Sequence, residues 1–554
     1  MAGLAIVLAG GFLAQSIRTA GGTTVRDVRF TGANGTVMSA LLYVPKNARS
    51  TTPAPGILAV HGYINSRETQ DGFAIEFARR GYVVLALDQT GHGYSGGAAF
   101  SNGFGGPDGL RYLRSLPMVD TTQIGLEGHS MGGWTVLAAA AAMPDGYSAM
   151  VLEGSSTGAP YAKDGSPTWP RNLALVFSRY DEFSKLMWGV DRAADVGASK
   201  KLQAVFGSSA PIAENQLYGA IANGTARRLY QPSTTHPGDH LSTVAIGDAT
   251  DWFAATLKGG TRRPPSDQIW YWKEAGTGIG LVGFVMILLG AFDALVRLRL
   301  FAAMRGPAIP ATALRDRAWW LGLALNTALP AVLFFPTFIA AFVVLPASKW
   351  LPQAVTTQIT LWAVVGAGVS LIVARVMQRP ADARQPDWPK SIVLAVATVA
   401  AGYAALWLVD RLFHTDLRLW VVAVKLPSIH QWAIAAIYVV PLTLAFLVTT
   451  RSLARATVGS DTNRQRYLAA ILTLTFGFIM MLSVIYGVLL TTGTLITAFD
   501  PLSTVIALQF VPVLAAVAII ATFTWQRTGS HRAGGLIAGL LVTLYVVAGT
   551  ATQA

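Results

Sequence analysis

A serine between two glycines, in Gly128-His129-Ser130-Met131-Gly132, carries the clearest chemical signal of the chain. A β-prone stretch from Gln123 to Glu127 precedes it, and an alanine-rich helical pattern follows from Trp134 to Ala142. This strand–turn–helix setting is what a nucleophile elbow of the G-x-S-x-G type requires. A turn tight enough to lift a serine out of a sheet leaves no space for Cβ atoms two residues either side, so both positions become glycine. We therefore predict that Ser130 is a catalytic nucleophile; the alternative is a serine in a glycine-rich turn.

Alternating strand and helix patterns surround this serine. The stretch from Val25 to Pro45 alternates with a turn at its centre, which indicates a hairpin. Continuous apolar runs at 56–60 and 82–87 are typical of buried strands. A closing helix is predicted from Ser242, its N-cap, to Leu257. The alternation predicts an α/β domain with a mostly parallel sheet, and ligands bind at the carboxyl ends of such strands, where Ser130 lies.

Three glycine-rich motifs, each after a predicted strand, make the chain similar to a known family. They are His61-Gly62-Tyr63, then Asp88 with Gly91-His92-Gly93-Tyr94-Ser95-Gly96, then Gly128-His129-Ser130-Met131-Gly132-Gly133. In this order they resemble the α/β-hydrolase fold, and within it the monoacylglycerol-lipase and serine-aminopeptidase-like branch. The resemblance covers residues 35–257. It implies the fold without naming a substrate.

The resemblance implies a triad in the chain order serine, acid, histidine. A serine becomes a good nucleophile when a histidine takes its proton and a carboxylate orients that imidazole. Asp181 follows a strand-like run at 172–177 and is the preferred acid, with Glu153 as the reserve. A second run, 202–207, also resembles the strand before the acid, but the expected aspartate position holds Ser209.

Two histidines lie between the last predicted strand and the closing helix. His236 leaves a loop of several residues before Ser242, as members of the family usually have. His240 lies almost on the helix. We prefer His236 as the catalytic base and expect His240 to line the pocket, although both stay candidates.

The resemblance also implies an oxyanion hole made of two backbone N–H groups, from Met131 after the nucleophile and from Tyr63 after His61-Gly62. We expect no cofactor and no metal, because the histidines and carboxylates lack zinc or di-metal ligand spacing. His236 and His240 are separated by a proline and a glycine, unlike the helical histidine pair of a zinc protease.

Composition divides the 554 residues into two halves. Hydrophobic residues make up 52% and charged residues only 13%, where an ordinary soluble domain has about 25% charged. Most acidic side chains lie within 23–265, and long apolar runs fill 275–552. The net charge of +13 comes from arginines in short loops, with no basic stripe interleaved with aromatics, so we expect no nucleic-acid partner. The absence of cysteine excludes disulfides and thiol catalysis.

Eight apolar runs in the second half are each long enough to cross a membrane. They cover residues 275–296, 318–346, 355–376, 391–410, 430–450, 467–490, 503–525 and 533–552. An all-α bundle of about eight transmembrane helices is therefore predicted to follow the α/β domain.

Basic residues concentrate in alternate loops of this bundle. One set of loops holds Arg297, Arg299, Arg305, Arg315, Arg317, Arg375, Arg379, Arg384, Lys390, Arg451, Arg455, Arg464, Arg466, Arg527 and Arg532. The other set holds only Lys349, Arg411, Arg418 and Lys425. The first set should be cytoplasmic by the positive-inside rule. Residue 275 and the preceding α/β domain are therefore predicted to lie on the outer side.

These patterns predict four segments. They are an N-terminal hydrophobic segment (1–22), the α/β-hydrolase domain (23–260), a linker (261–274) and the transmembrane domain (275–554). The N-terminal segment is shorter than the roughly 20 apolar residues of a membrane-spanning helix, and it lacks the basic residues at the start of a signal peptide. Anchor, signal peptide and misassigned start codon stay open, and we prefer the anchor.

The expected function is that of a multi-pass serine hydrolase of a bacterial plasma membrane, with the catalytic domain outside. It would cleave a carboxyl ester, a lipid ester or a thioester through an acyl-Ser130 intermediate. Esters are preferred to peptides because a pocket tethered to a membrane meets acyl lipids first, so the expected partners are an acyl ester and the bilayer. The alternatives are a lipid-handling or transport protein whose hydrolase-like domain binds without catalysis, and an envelope acyltransferase.

Overall fold

The computed structural model describes residues 1–308, 315–376, 387–456 and 458–554. Arg379 and Arg384, two of the basic loop residues named above, lie outside the described residues.

An eight-stranded sheet forms the centre of the N-terminal half. Its strands are β1 (Thr24–Thr31), β2 (Val37–Val44), β3 (Ala54–Val60), β4 (Val83–Asp88), β5 (Val119–His129), β6 (Ala149–Glu153), β7 (Leu173–Val176) and β8 (Arg227–Tyr230). They pair in the order β1-β2-β4-β3-β5-β6-β7-β8. Only β1 with β2 and β2 with β4 pair in antiparallel fashion; every other pair is parallel. The predicted mostly parallel sheet is confirmed.

Helices cover both faces of this sheet. They are α2 (Asp71–Arg79), α3 (Gly106–Ser115), α4 (Met131–Ala142), α5 (Ser184–Trp188), α6 (Lys200–Phe206) and α7 (Thr243–Thr256), preceded by α1 (Ala2–Arg18). Two apolar cores result, one on each face. We call the unit from β1 to α7 the sheet domain.

Two local predictions can be compared with these bounds. Helix α7 begins after Ser242, whose hydroxyl accepts a hydrogen bond from the Ala245 N–H, as an N-cap does. The run at 202–207, considered above as a strand, instead forms most of helix α6 and its C-cap, Gly207. Its buried residues include Leu202, Val205 and Phe206. Their spacing of three and four residues places them on one helical face, which the strand interpretation overlooked.

Nine helices and a small hairpin form the second half that the structure describes. They are α8 (Trp270–Val296), α9 (Arg317–Val332), α10 (Phe334–Val344), α11 (Ala354–Val376), α12 (Trp388–Phe413), β9 (Leu417–Leu419), β10 (Val422–Val424), α13 (Ile429–Arg455), α14 (Asn463–Thr492), α15 (Pro501–Thr528) and α16 (Arg532–Gly549). Seven of these helices are long and apolar enough to cross a membrane, or eight spans if α9 and α10 form one bent span. We call this unit the bundle. The predicted fold class, an α/β domain followed by membrane-length helices, is confirmed.

The bend between α9 and α10 measures 43°. Pro336 causes it in part, because a proline has no N–H to donate to the carbonyl of Val332 one turn earlier. The predicted span 318–346 is therefore two helical pieces.

The N-terminal helix α1 packs along α8 through glycines. A Cβ atom added to Gly10 would overlap the carbonyl oxygen of Gly276, and one added to Gly283 would lie 2.9 Å from the Gly3 oxygen. Small residues at four- and three-residue intervals allow two helix backbones to approach closely, as in membrane helix pairs. The α1 segment is thus an integral part of the helical packing.

Buried charges join α1, the sheet domain and the bundle. The carboxylate of Asp71 lies 3.6 Å from Arg18 Nε and 3.0 Å from Lys273 Nζ. Arg18 also donates to the carbonyl oxygens of Phe413 (2.9 Å) and His414 (3.0 Å) at the end of α12. We call Arg18, Asp71 and Lys273 the buried junction. Because all three side chains are fully buried, each needs its partners to remain charged there.

We expect Gly10→Ala to destabilise the protein by roughly 1–3 kcal/mol, because the added methyl group separates α1 from α8. The matched control is Gly290→Ala, also on a helix of this pair, where an added Cβ meets nothing within 4 Å. Thermal unfolding of the detergent-solubilised protein measures the difference. Equal midpoints for the two variants would contradict the close helix contact.

Candidate active site

The turn between β5 and α4 holds Ser130 in a strained conformation. Its backbone angles are φ 55° and ψ −122°, a region that residues with a side chain rarely occupy. Its N–H donates to the carbonyl of Glu153 at 2.8 Å, which fixes the turn to strand β6. A Cβ on Gly128 would overlap the Gly132 carbonyl, and one on Gly132 would overlap the carbonyl of Val60. The close approach therefore requires glycine on both sides of the serine.

His236 and Asp181 meet at the carboxyl ends of the neighbouring strands. The imidazole Nδ1 of His236 lies 2.8 Å from Asp181 Oδ2, and Asp181 Oδ1 accepts the N–H of Phe183 at 2.7 Å. Burial lowers the pKa of His236 to about 4. The imidazole is therefore uncharged at neutral pH, which is the form that can accept a proton.

Glu182, the residue after Asp181, holds the backbone of the histidine loop. Its Oε2 accepts the N–H of His236 at 2.8 Å, and its Oε1 accepts the hydroxyl of Tyr486, on α14, at 2.8 Å. Burial raises the pKa of Glu182 to about 8. A side chain of the bundle is thus connected through one carboxyl group to the histidine loop.

The second histidine candidate, His240, has different surroundings. Its ring packs against His129, with centroids 4.2 Å apart, and edge-on against Phe73. Both of its ring nitrogens are buried without a hydrogen-bond partner among the described residues. Glu153, the reserve acid, has two carboxylate oxygens that likewise lack a partner in the described part of the chain. The structure therefore pairs Asp181 with His236 and leaves the other two candidates outside that pair.

The two proposed oxyanion donors follow two neighbouring strands, β5 and β3. Met131 is the first residue of α4, so its N–H belongs to the first turn, where amides have no partner within the helix. Tyr63 follows β3, and its hydroxyl accepts a hydrogen bond from Gln553 at 3.0 Å. Both residues line the same cavity as Ser130, His236 and His240.

This cavity, of about 690 Å³, has walls from both halves of the molecule. The sheet domain contributes the serine side, together with aromatic residues such as Phe100, Trp134 and Phe183. The bundle contributes the opposite side, which includes Val355, Ile359, Val505, Ile506, Tyr545, Val546 and Gly549. We call it the composite cavity.

The β9–β10 hairpin covers part of this cavity. At its tip, Trp420 Nε1 donates to the carbonyl of Pro237, next to His236, at 2.9 Å. Arg418 donates to the hydroxyl of Ser66 at 3.1 Å. Trp420, Arg418 and Lys425 all line the composite cavity.

Sequence reasoning missed Glu182, Tyr486, Trp420 and the walls that the bundle contributes. The adjacent acidic pair Asp181-Glu182 was the one visible signal for Glu182. The hairpin gave a weaker sign, since Arg418 and Lys425 are charged residues in an otherwise apolar half. Among the described residues, no group of three or more histidines, aspartates and glutamates could hold a metal ion.

Comparisons with known proteins agree with this arrangement. Residues 51–186 match the model of a family described as serine aminopeptidase, S33. The sheet domain, which contains these residues, has the α/β-hydrolase fold. A monoacylglycerol lipase of Mycolicibacterium smegmatis is 32% identical over 149 residues, which are 25% of this chain and 49% of the relative. The chain thus spans about half the length of this curated relative.

Two solved structures are similar to a short part of this chain. An α/β hydrolase from Penicillium sp. sh18 is 25% identical, with 25% of this chain and 49% of that chain covered and a TM-score of 0.22. A thermostable carboxyl esterase from Bacillus coagulans is 24% identical, with 24% and 45% covered and a TM-score of 0.20. The sheet order and the family match carry the assignment of the fold.

We expect the two histidines to differ in their effect on ester hydrolysis. His236→Ala removes the side chain bonded to Asp181 and should lower kcat by roughly four orders of magnitude or more. His240→Ala, the matched control from the same cavity, should lower it less than about tenfold, since it removes packing alone. Steady-state kinetics with a soluble ester measure both. A larger loss in His240→Ala would reverse the assignment.

Proposed function

We propose that the protein is a membrane-bound serine hydrolase that cleaves long-chain acyl esters through an acyl-Ser130 intermediate. The observation that carries this proposal is the composite cavity, which places Ser130 and His236 opposite a wall made by the bundle. The family match and the monoacylglycerol-lipase relative support ester hydrolysis.

In the proposed reaction, Ser130 Oγ attacks the ester carbonyl while His236 accepts the serine proton. Asp181 keeps the imidazole in the tautomer with Nδ1 protonated, so that Nε2 is the accepting atom. The backbone N–H groups of Met131 and Tyr63 would stabilise the oxyanion. The proton then passes to the alcohol as it leaves. Water attacks the acyl-enzyme by the same route and releases the carboxylic acid and free Ser130.

The bundle wall favours an apolar acyl group over a peptide. Its members Val505, Ile506 and Val546 present hydrocarbon surface, and apolar area removed from water stabilises binding by about 25 cal/mol per Å². An acyl chain has enough such area to bind there, whereas a peptide backbone would leave polar groups unpaired.

Contacts between the two units support an extracytoplasmic catalytic domain. Polar contacts to the sheet domain come from Arg418, Trp420, Thr552 and Gln553 of the less basic end of the bundle. At the opposite end, the last turns of α8 and α15 meet, where Arg527 Nε lies 2.5 Å from Asp293. With the basic end in the cytoplasm, the bundle spans the plasma membrane of a bacterium and the catalytic domain lies on its outer side.

We expect a fluorescent, membrane-impermeant fluorophosphonate to label wild-type protein on intact cells, because an activated serine attacks the probe. Labelling should disappear in Ser130→Ala. The matched control is Ser155→Ala, a buried serine of the same domain, which should still be labelled.

Comparing the labelling of intact cells with the labelling after lysis distinguishes the remaining possibilities. Labelling only after lysis would reverse the proposed orientation. Absence of labelling in both states would contradict an activated serine and would favour the non-catalytic binding alternative.

We expect Val546→Trp to reduce kcat/KM for a long-chain ester roughly tenfold or more relative to that for an acetate ester, because the indole fills the bundle side of the cavity. The matched control is Val440→Trp on α13, where the valine is exposed. Hydrolysis of a chain-length series measures the ratio. An unchanged ratio in Val546→Trp would place the acyl chain elsewhere.

A further inference from the structure

Two basic side chains of the bundle reach the composite cavity. Arg418 belongs to β9, and Lys425 directly follows β10. Both are buried, with 4% of each residue exposed, and both line the cavity that contains Ser130. A buried cation is costly unless it is paired, so the partners of these two side chains are informative.

Arg418 is partly paired. It lies 2.8 Å from Asp416 and donates to Ser66, but its Nε is buried without a hydrogen-bond partner among the described residues. One side of its guanidinium therefore has an unused donor.

Lys425 has no close partner in the described part of the chain. No carboxylate there lies within 4.0 Å of its ammonium, and no hydrogen bond from it is found. The acidic residues that feel its charge, Glu68, Asp88 and Asp416, are engaged elsewhere. Asp88 accepts hydrogen bonds from the Arg67 N–H (2.8 Å) and the Ser39 hydroxyl (2.9 Å). Glu68 accepts hydrogen bonds from Ser66 (2.6 Å) and Arg67 (3.1 Å), and Asp416 is paired with Arg418.

The other charged residues at the cavity are already compensated. Asp500 caps α15 by accepting the N–H of Ser503 at 3.1 Å. Lys185 is largely exposed and lies 3.1 Å from Asp191. Lys425 is therefore the buried cation of the cavity, within the described residues, that has no carboxylate within 4.0 Å.

We propose that Lys425 and the free edge of Arg418 form a subsite for an anionic group, a phosphate or a carboxylate, on the substrate of Ser130. The anion completes the pairing of two buried cations, and hydrogen bonds between ionised groups are stronger than neutral ones. The inference rests on the proposed function and narrows it to acyl esters whose alcohol part carries a negative charge.

The positions of the two walls decide which part of the substrate carries the charge. The apolar residues of α15 and α16 receive the acyl chain. The hairpin lies beside the histidine loop, to which it is joined by the hydrogen bond from Trp420 to the Pro237 carbonyl. The leaving alcohol takes its proton from that histidine, so the alcohol side faces the hairpin.

The test measures binding separately from catalysis. Full-length Ser130→Ala protein in neutral detergent is titrated with a monoacylglycerol and with the matching monoacylglycerol phosphate, which share one acyl chain. We expect the phosphate to bind roughly tenfold more tightly or better, and Lys425→Met to remove most of that preference. Lys425→Arg should retain it, because the positive charge remains. Lys185→Met, the matched control at the same cavity, should change the ratio less than about twofold.

A monoacyl glycerate in the same titration distinguishes carboxylate from phosphate as the preferred anion. Equal binding of neutral and anionic esters would overturn the inference, as would a preference that survives Lys425→Met. Fluorophosphonate labelling of the protein with Ser130 intact tests the proposed function separately. A labelled serine without an anion preference refutes the subsite alone, whereas an anion preference without labelling supports the subsite and refutes hydrolysis.

Discussion

A buried carboxylate, Asp71, joins the sheet domain to the N-terminal helix and to the bundle. It attracts Arg18 of the N-terminal helix and Lys273 of the first long bundle helix, and all three side chains are fully buried. Loss of one partner from such a buried set leaves an uncompensated charge, which costs about 3–5 kcal/mol. Since Asp71 itself belongs to α2 of the sheet domain, the junction joins that domain to the bundle, in addition to the hydrogen bonds of Arg418, Trp420 and Tyr486.

A fixed domain position matters because neither half encloses the cavity alone. The sheet domain provides Ser130 and His236, whose ring is bonded to Asp181, and the bundle and its hairpin provide the facing wall. Glu182 accepts hydrogen bonds from the Tyr486 hydroxyl and from the His236 N–H. The position of the histidine loop therefore also depends on the bundle. The membrane-length helices are therefore structural parts of the candidate active site and more than an attachment.

The cavity contains residues of two kinds, those that a common fold requires and those that could select a substrate. In the sheet domain the glycines around Ser130 meet a general steric requirement, since the backbones there approach too closely for a Cβ. Such residues define a reaction type and say little about what is cleaved. The residues that could select a substrate, Lys425 and Val546 among them, lie hundreds of positions further along the chain.

The sequence alone determined the elbow, the three glycine-rich motifs, the closing helix after Ser242 and the membrane-length runs, because each depends on neighbours within a few residues. The tertiary structure decided that His236 and not His240 pairs with Asp181. The two histidines are four residues apart in one loop, so only the folded path of that loop determines which of them reaches the carboxylate. The tertiary structure also decided that 202–207 is a helix, that α1 packs on α8, and that the bundle forms half of the cavity. Contacts between residues far apart in the chain leave no local pattern, which is why a single sequence could not reveal them.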